Sequence, residues 1–354
     1  MPKILLVSPD TRDASSFYRC VGPWSYAAKV DRKNIQIEVL GDGVGARGVT
    51  WDTISQFDLV FLQRPCREDD LTLIKVARNV NVPVWVDIDD WLFGVPWWNT
   101  KAHEIFSNPY VQQVIAACIG CADIVSTSTE ELRKKLSRMN ENVCVVPNAY
   151  RDDLYPYVYV GQERKSHYAW RGGSSHDKDL FSVAEAWGRL NKPITFFGKP
   201  SWLILEQVGQ LARVVPQQDN FLYMKQLYDC APRVMLVPLV DDEFNRCKSN
   251  IAYIEAMHAG AICVAPDMPE WQRSGVVRYK PGDSEDFIKQ CKAAIECTFE
   301  MEYYSDMLSA YGASNVNKIR MTALNRVLSS VGSKKWDPYD PGVGFKLLNK
   351  LSTC

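Results

Sequence analysis

Asn245, Arg246, Lys248 and Ser249 share one polar loop, Val240–Asn250, between the apolar strand Arg233–Leu239 and a helix expected to begin at about Ser249. In a parallel α/β sheet, ligands settle where such a loop leaves the carboxyl end of a strand and enters a helix. Helix-start N–H groups with cations beside them suit an anion, most often a phosphate. Ser249 and Asn250 stand at that helix start, and Glu255 follows inside an otherwise apolar helix that Gly260 closes. Phosphate donors followed by a buried acid read as a nucleotide site.

A second group precedes it. In Trp170-Arg171-Gly172-Gly173, Arg171 follows a short strand, and two glycines let backbone approach a ligand closely. His176 and Asp179 follow in a segment that could equally be a helix start with a solvent-facing His and a dipole-favouring Asp. Gly198 ends the strand Pro193–Gly198, where a chain could pass under a nucleotide or merely turn.

The third group is acidic. Asp87, Asp89 and Asp90 end the strand Pro83–Asp89. Three carboxylates this close repel unless something binds them. Asp89 or Asp90 could orient a hydroxyl or act as a base, with loop capping as the plain alternative. Hard oxygen ligands would also suit a divalent metal, the lesser reading. Trp85, Trp91, Phe93, Trp97 and Trp98 surround this strand end. Trp85 reads as core, whereas Trp97-Trp98, between Pro96 and Asn99, are hard to bury together and could stack on a sugar or base. Tyr18 and Arg19 open the first helix, at the carboxyl end of the first strand, where an acceptor or phosphate role is reasonable.

Alternating elements must position these residues. Strands are read at Lys3–Pro9, Ile35–Leu40, Asp58–Pro65 and Pro83–Asp89, then at residues 122–128 and 142–149, with helices between them at residues 17–29, 71–80, 109–121 and 129–136. Thr129 is the expected N-cap of the last. A linker follows at 156–166, and the rhythm restarts with His167–Gly173, a helix at 179–190, the strand Pro193–Gly198, a helix at 201–212 and the strand–loop–helix described first. Two or three helices fill Ser284–Val331, and a tail from Trp336 suggests no role. The expectation is two Rossmann-like α/β halves facing each other across a cleft: 1–155, then 167–315, with 316–354 returning to the first half before the tail.

Composition agrees. A chain of 354 residues with 46% apolar content can build two cores. The formal net charge of −1 removes the simplest case for a nucleic-acid binder. No apolar run is long enough to span a bilayer, and Met1-Pro2-Lys3 leads directly into a strand, so a soluble cytoplasmic protein is expected. Eleven cysteines in apolar segments suit reduced core thiols, and Cys118/Cys121 read as packing rather than redox or zinc chemistry. Gly43-Val-Gly45-Ala-Arg-Gly48 satisfies a dinucleotide fingerprint but leaves barely two turns of helix before the next strand, so a surface loop is the better reading.

In order along the chain, Tyr18-Arg19, Gly22-Pro23, Gln63-Arg64-Pro65, Asp87–Asp90, Val146-Pro147-Asn148, Trp170–Gly173 with His176 and Asp179, Phe244-Asn245 with Lys248-Ser249, and Glu255-Ala256 before Gly260 resemble the GT-B glycosyltransferases. The likeness is to the large family-4 group, and particularly to members found in large tailed phages and bacteria. The resemblance implies a second half that binds a nucleotide-diphosphate sugar, a UDP-sugar foremost, and a first half that supplies most of the acceptor site. Lys248 and Arg171 would then hold the diphosphate, since fixed cations stabilise the departing phosphate most in the transition state. Gly172, Gly173, His176, Gly198, Asn245, Ser249 and Asn250 would contact the donor, and Glu255 the ribose hydroxyls. Tyr18, Arg19, Trp97 and Trp98 would face the acceptor, with Asp89 or Asp90 orienting its hydroxyl. An Asp-x-Asp metal site belongs to the GT-A class, which leaves the second α/β half unexplained, so no essential metal is expected.

One departure is plain. The family's glutamate pair, eight positions apart, would put its first member at Cys247. Transfer with retention to a hydroxyl of a glycan, a protein or a hydroxymethylated DNA base is the leading expectation, in a host cytoplasm if the chain is phage-encoded. A sugar-nucleotide epimerase and a degenerate donor-binding homologue are the alternatives. A DNA acceptor would call for a rim of cations, with Arg12, Arg19, Arg64, Arg67 and Lys101 the candidates.

Overall fold

A computed structural model describes residues 1–30, 35–40, 49–155, 161, 163–329, 340 and 342–352. The first half holds strands β1 (Lys3–Val7), β2 (Gln36–Leu40), β3 (Leu59–Gln63), β4 (Val84–Ile88), β5 (Ile124–Thr127) and β6 (Val143–Val145), ordered β2-β1-β3-β4-β5-β6. The second holds β7 (Tyr168–Gly172), β8 (Ile194–Gly198), β9 (Ala212–Val215), β10 (Val234–Leu236), β11 (Ile262–Pro266) and β12 (Val276–Tyr279), ordered β12-β11-β10-β7-β8-β9. All these pairings are parallel. The two doubly wound α/β sheets are those expected.

Parallel strands covered on both faces read as continuous apolar runs, and LVFLQ and VWVDI are buried at every position. Alternate residues serve opposite layers. Leu5, Val60 and Val86 pack with helices Glu68–Asn79 and Pro109–Cys121, while Leu6, Phe61 and Trp85 pack with Trp24. Val316, Leu324 and Val327, from the helix Ala313–Ser329, join that second layer, so the helix returns to the first half. Cys118 and Cys121 are buried in the first layer and form no disulfide.

Several elements differ from the sequence-based reading. The first helix is two, Ala14–Arg19 and Val21–Val30, with Pro23 in an opening turn that requires no N–H from it. The helix expected at 201–212 stops at Val208, where Gly209 takes φ +60°, and Ala212–Val215 becomes edge strand β9. The helix expected at 179–190 splits into Asp177–Phe181 and a 3₁₀ segment, Ala184–Arg189. Within the loop after β10 a short helix, Glu243–Cys247, is N-capped by Asp242, and the following helix is Ile251–His258. Strand β12 and the tail helix Val343–Ser352 were not anticipated. That tail helix lies close against Pro109–Cys121, for a Cβ on Gly344 would come within 2.1 Å of the Gln113 carbonyl oxygen. Its Leu347 is fully buried. The Gly43–Gly48 segment, most of the expected linker and part of the tail lie outside the described residues.

Candidate active site

Strand order decides where a ligand can sit. In the second sheet the chain departs from β7 toward β8 and from β10 toward β11, so the carboxyl ends of β7 and β10 border a switch-point crevice; β1 and β3 do the same in the first. The two crevices face each other. Between them lies a cavity of about 480 Å³, lined by Arg171–His176, Gly198, 216–218, Tyr223 and Glu255 on one side and by Ala14 and Asn99–Ala102 on the other. An adjoining space of about 200 Å³ brings Ser15, Arg64, Asp89 and Asp90 opposite Lys248 and Ser249. Ala14, Arg171 and His176 border both.

Glu255 is buried and its carboxylate meets three side chains. Its Oε2 accepts from Arg171 Nε at 2.8 Å and from the Tyr223 hydroxyl at 3.0 Å, and Oε1 accepts from the Tyr18 hydroxyl at 3.4 Å. Burial raises its pKa, and the Arg171 guanidinium opposes the rise. Tyr18 belongs to the first half, so this carboxylate is reached from both. His176 Nδ1 is 2.8 Å from Asp179 Oδ2, while Asp179 Oδ1 accepts from Val240 N and Asn245 Nδ2, both at 2.9 Å. Asp179 therefore ties the loop after β7 to the loop after β10.

Lys248 has a different setting. It ends the short helix Glu243–Cys247 with its Nζ 5.1 Å from the Phe244 ring centroid, and among the described residues it makes no ion pair. Ser249, Ile251 and Ala252 line the space beside it, at the start of Ile251–His258, whose Asn250 side chain makes no capping bond. First-turn N–H groups have no intrahelical partner, so a cation and a helix start converge on one cavity.

The acidic strand end is already neutralised in part. Arg64 Nε pairs with Asp89, and Arg64 Nη2 donates to Asp89 Oδ2 at 2.7 Å and Asp90 Oδ2 at 3.0 Å. Burial is the largest influence on the Asp89 pKa and would raise it, but the charge and hydrogen bonds of Arg64, with Arg19 and Ser15, together lower it. Asp90 moves the other way, raised by burial and then by Asp89. Arg64 holds φ +47°, an uncommon conformation for a side chain of this size. Among the described residues no group of three His, Cys, Asp or Glu side chains could hold a metal ion.

A seam closes the far side. Helix Glu130–Leu136 packs on Glu243–Cys247, and Phe244 and Cys247 enter the core of the first half beside Leu132. Lys135 and the Trp91 indole both bind Glu243. Cys247 is fully buried there, its thiol pushed up to about 12 by burial. A carboxylate at 247 would be buried in this seam, away from the cleft.

No protein-family model matches the chain, and no curated relative matches it. Solved structures share its architecture. HepE of Anabaena, crystallised with UDP, superposes with a TM-score of 0.65 at 12% identity, over 92% of this chain and 100% of that one. The lipopolysaccharide outer core galactosyltransferase WaaB gives 0.61 at 13%, over 92% and 99%. AviGT4, a glycosyltransferase involved in avilamycin A biosynthesis, gives 0.56 at 12%, over 93% and 98%. The chain has the GT-B fold.

Within this GT-B cleft the expected residues divide. Arg171, Gly172, Gly173, His176, Gly198, Lys248, Ser249, Glu255, Asp89 and Asp90 all border the two cavities. Gly198 is required sterically: it holds φ +114°, and a Cβ would stand 2.2 Å from the Gly172 carbonyl oxygen. Trp97 is 69% exposed, with Trp98 edge-on to it, next to the cavity-lining Asn99–Ala102.

Three of the expected side chains line neither cavity and make their hydrogen bonds elsewhere. Arg19 is buried, with Nε and Nη2 on Asp87 at 2.8 and 2.6 Å and Nη1 on the Val146 carbonyl at 2.8 Å, so it braces the first sheet instead of meeting an acceptor. Asn245 spends its amide on Asp179 and the Val240 carbonyl. Asn250 donates to the Tyr311 hydroxyl at 2.7 Å, behind the helix start. Tyr18 is buried on Glu255 and contributes from beneath the cavity. Sequence reasoning missed Tyr223 and residues 216–218, because a helix read through residue 212 hides the strand that delivers them. It noted Arg64 only in a motif and as a rim cation. Its aspartate partners were the available signal, since three adjacent carboxylates call for a cation.

Proposed function

We propose that the chain is a glycosyltransferase that moves a sugar from a nucleotide-diphosphate sugar to an acceptor hydroxyl. The observation that carries this reading is the convergence of unpaired Lys248, Arg171 and the start of Ile251–His258 on one switch-point crevice, with Glu255 beyond them. Lys248 and Arg171 neutralise the diphosphate and, more strongly, the charge that grows on it as the sugar departs. Glu255 takes the ribose hydroxyls, held in place by Tyr223 and Tyr18. Gly172, Gly173 and Gly198 keep the floor low enough for the donor. Ser249 lies at the phosphate end. In this reading 1–155 supplies the acceptor side, 167–315 the donor side, and the segment from 316 braces the first.

A UDP-sugar is the favoured donor, supported by the UDP bound in HepE. No divalent metal is required, because fixed cations serve the diphosphate and Arg64 spans the Asp89–Asp90 pair where a metal would sit. Asp90 orients the acceptor hydroxyl, and Trp97 and Trp98 form its platform. Acceptors on offer are a glycan, a protein or a hydroxymethylated DNA base. A glycan is favoured: Arg19 is buried and Arg64 is paired, which removes two cations from the rim that DNA would need. Transfer with retention is the favoured course, since the departing phosphate can itself take the acceptor proton.

The test is binding of UDP, GDP, ADP, TDP and CMP, followed by turnover of the matching nucleotide sugar with and without a chelator. Saturable binding lost in Lys248→Ala, with chelator-resistant release of the nucleotide, is expected. Binding without turnover on any acceptor would favour a donor-binding homologue, and no binding at all would sink the reading.

A further inference from the structure

His176 borders both cavities, and its ring is fixed by chemistry on the page. Asp179 is buried and, as a carboxylate, can only accept; Val240 N and Asn245 Nδ2 already occupy its Oδ1. The 2.8 Å contact from His176 Nδ1 to Oδ2 therefore places a proton on Nδ1. That leaves Nε2 as the open nitrogen. The ring edge beside Nε2 lies along Gly172, because a Cβ there would stand 3.0 Å from His176 Cδ2.

We propose that the Asp179–His176 dyad is a proton-linked contact for the donor diphosphate. His176 takes one proton from solvent when a nucleotide-diphosphate sugar binds, and Nε2–H then donates to a phosphate oxygen. This rests on the nucleotide-sugar reading. A neutral ring would instead turn the Nε2 lone pair toward phosphate oxygens that are themselves acceptors.

The surroundings set the direction. In the empty cleft burial, then Lys248, lower the His176 pKa to about 4; Asp179 favours the proton and Arg171 opposes it. Asp89, Asp90 and Glu255 are the other carboxyls on the cavity walls. A diphosphate diester places negative charge among Lys248, Arg171 and His176, cancelling the repulsion and raising the pKa. Affinity is then fullest below the free value and weakens as pH rises through the bound value, by up to about tenfold per pH unit.

Calorimetry with UDP-glucose, GDP-mannose and ADP-glucose tests this, because these diesters lack the phosphate ionisation near pH 6 that a terminal phosphate has. Titrations in two buffers of different ionisation enthalpy, between about pH 5.5 and 7.5, read proton uptake directly. The expected result is uptake approaching one proton, lost in His176→Asn and reduced in Asp179→Asn. Nitrogen-resolved NMR of the wild type, which has four histidines, should show the His176 ring becoming an imidazolium on binding. Binding without uptake, or uptake that survives His176→Asn through Asp90 or Glu255, overturns the proposal while leaving the nucleotide-sugar reading intact. Failure of all three sugars and of their free nucleotides overturns both.

Discussion

Thr129 Oγ1 donates to the carbonyl oxygen of Cys247 at 2.9 Å while accepting from Leu132 N, so one hydroxyl caps a helix of the first half and ties it to the loop after β10 in the second. The seam thus carries Lys248, one residue on, by its backbone. Cys247→Glu should destabilise the chain by about 3 kcal/mol, because the carboxylate would be buried beside Glu243, whose Lys135 is already paired. Cys247→Ala should cost only about 1 kcal/mol. Thermal unfolding of the two variants checks the contrast; equal melting temperatures would show that the seam opens freely.

Lys248→Ala should leave stability nearly unchanged, since no ion pair is lost. Turnover should fall by about a hundredfold to a thousandfold, the range seen when one transition-state charge donor is removed. A fall in kcat larger than the change in nucleotide Kd is the expected pattern, measured by steady-state kinetics beside calorimetry.

Glu255→Gln should weaken nucleotide binding by roughly tenfold or more, the loss of a charged hydrogen-bond acceptor being worth about 1.5–3 kcal/mol. Nucleotide diphosphates and the bare nucleosides should be affected alike. A change confined to the diphosphates would place Glu255 at the phosphates and not at the ribose.

Arg64→Ala strands Asp89 and Asp90 beside each other, at a cost of about 2–4 kcal/mol near neutral pH after allowing for the partial exposure of Arg64. In the wild type the Asp89 pKa is lowered, so its contribution is present above the ordinary carboxylate range and is lost as pH falls through the folded value. In the variant the bare pair prefers a proton. The deficit should shrink below about pH 4, read from unfolding curves across pH.

Leu347→Ala, in the fully buried position of the tail helix, should cost about 2–4 kcal/mol. Nucleotide affinity should be unaffected, because the helix docks on Pro109–Cys121, away from the cleft. Chemical denaturation and nucleotide titration of the same variant give both readings.

Two α/β halves were legible because parallel strands buried on both faces leave uninterrupted apolar runs, as in VWVDI and ITFFG. The loop that begins at Val240 was legible for a related reason, since carboxyl-edge loops concentrate polar residues. Local chemistry also marked Thr129 as a cap, confirmed by its bond to Leu132 N. Edge strand β9 was hidden because Ala212–Val215 runs on from an apolar helix and only Gly209 separates them.

What the chain alone determined was which residue types reach the cleft: Lys248 and Arg171 on one side, Asp89 and Asp90 on the other. Tertiary structure decided which of them are spent. Arg19 meets Asp87 and Arg64 meets Asp89, partners 68 and 25 residues away, and neither pairing leaves a periodic trace in sequence. A cation and a buried carboxylate pair wherever the fold brings them within reach, so the free charge of Lys248 is a property of the folded molecule. Strand order, which sets that reach, follows from how apolar faces pack together, and no short stretch of sequence encodes it.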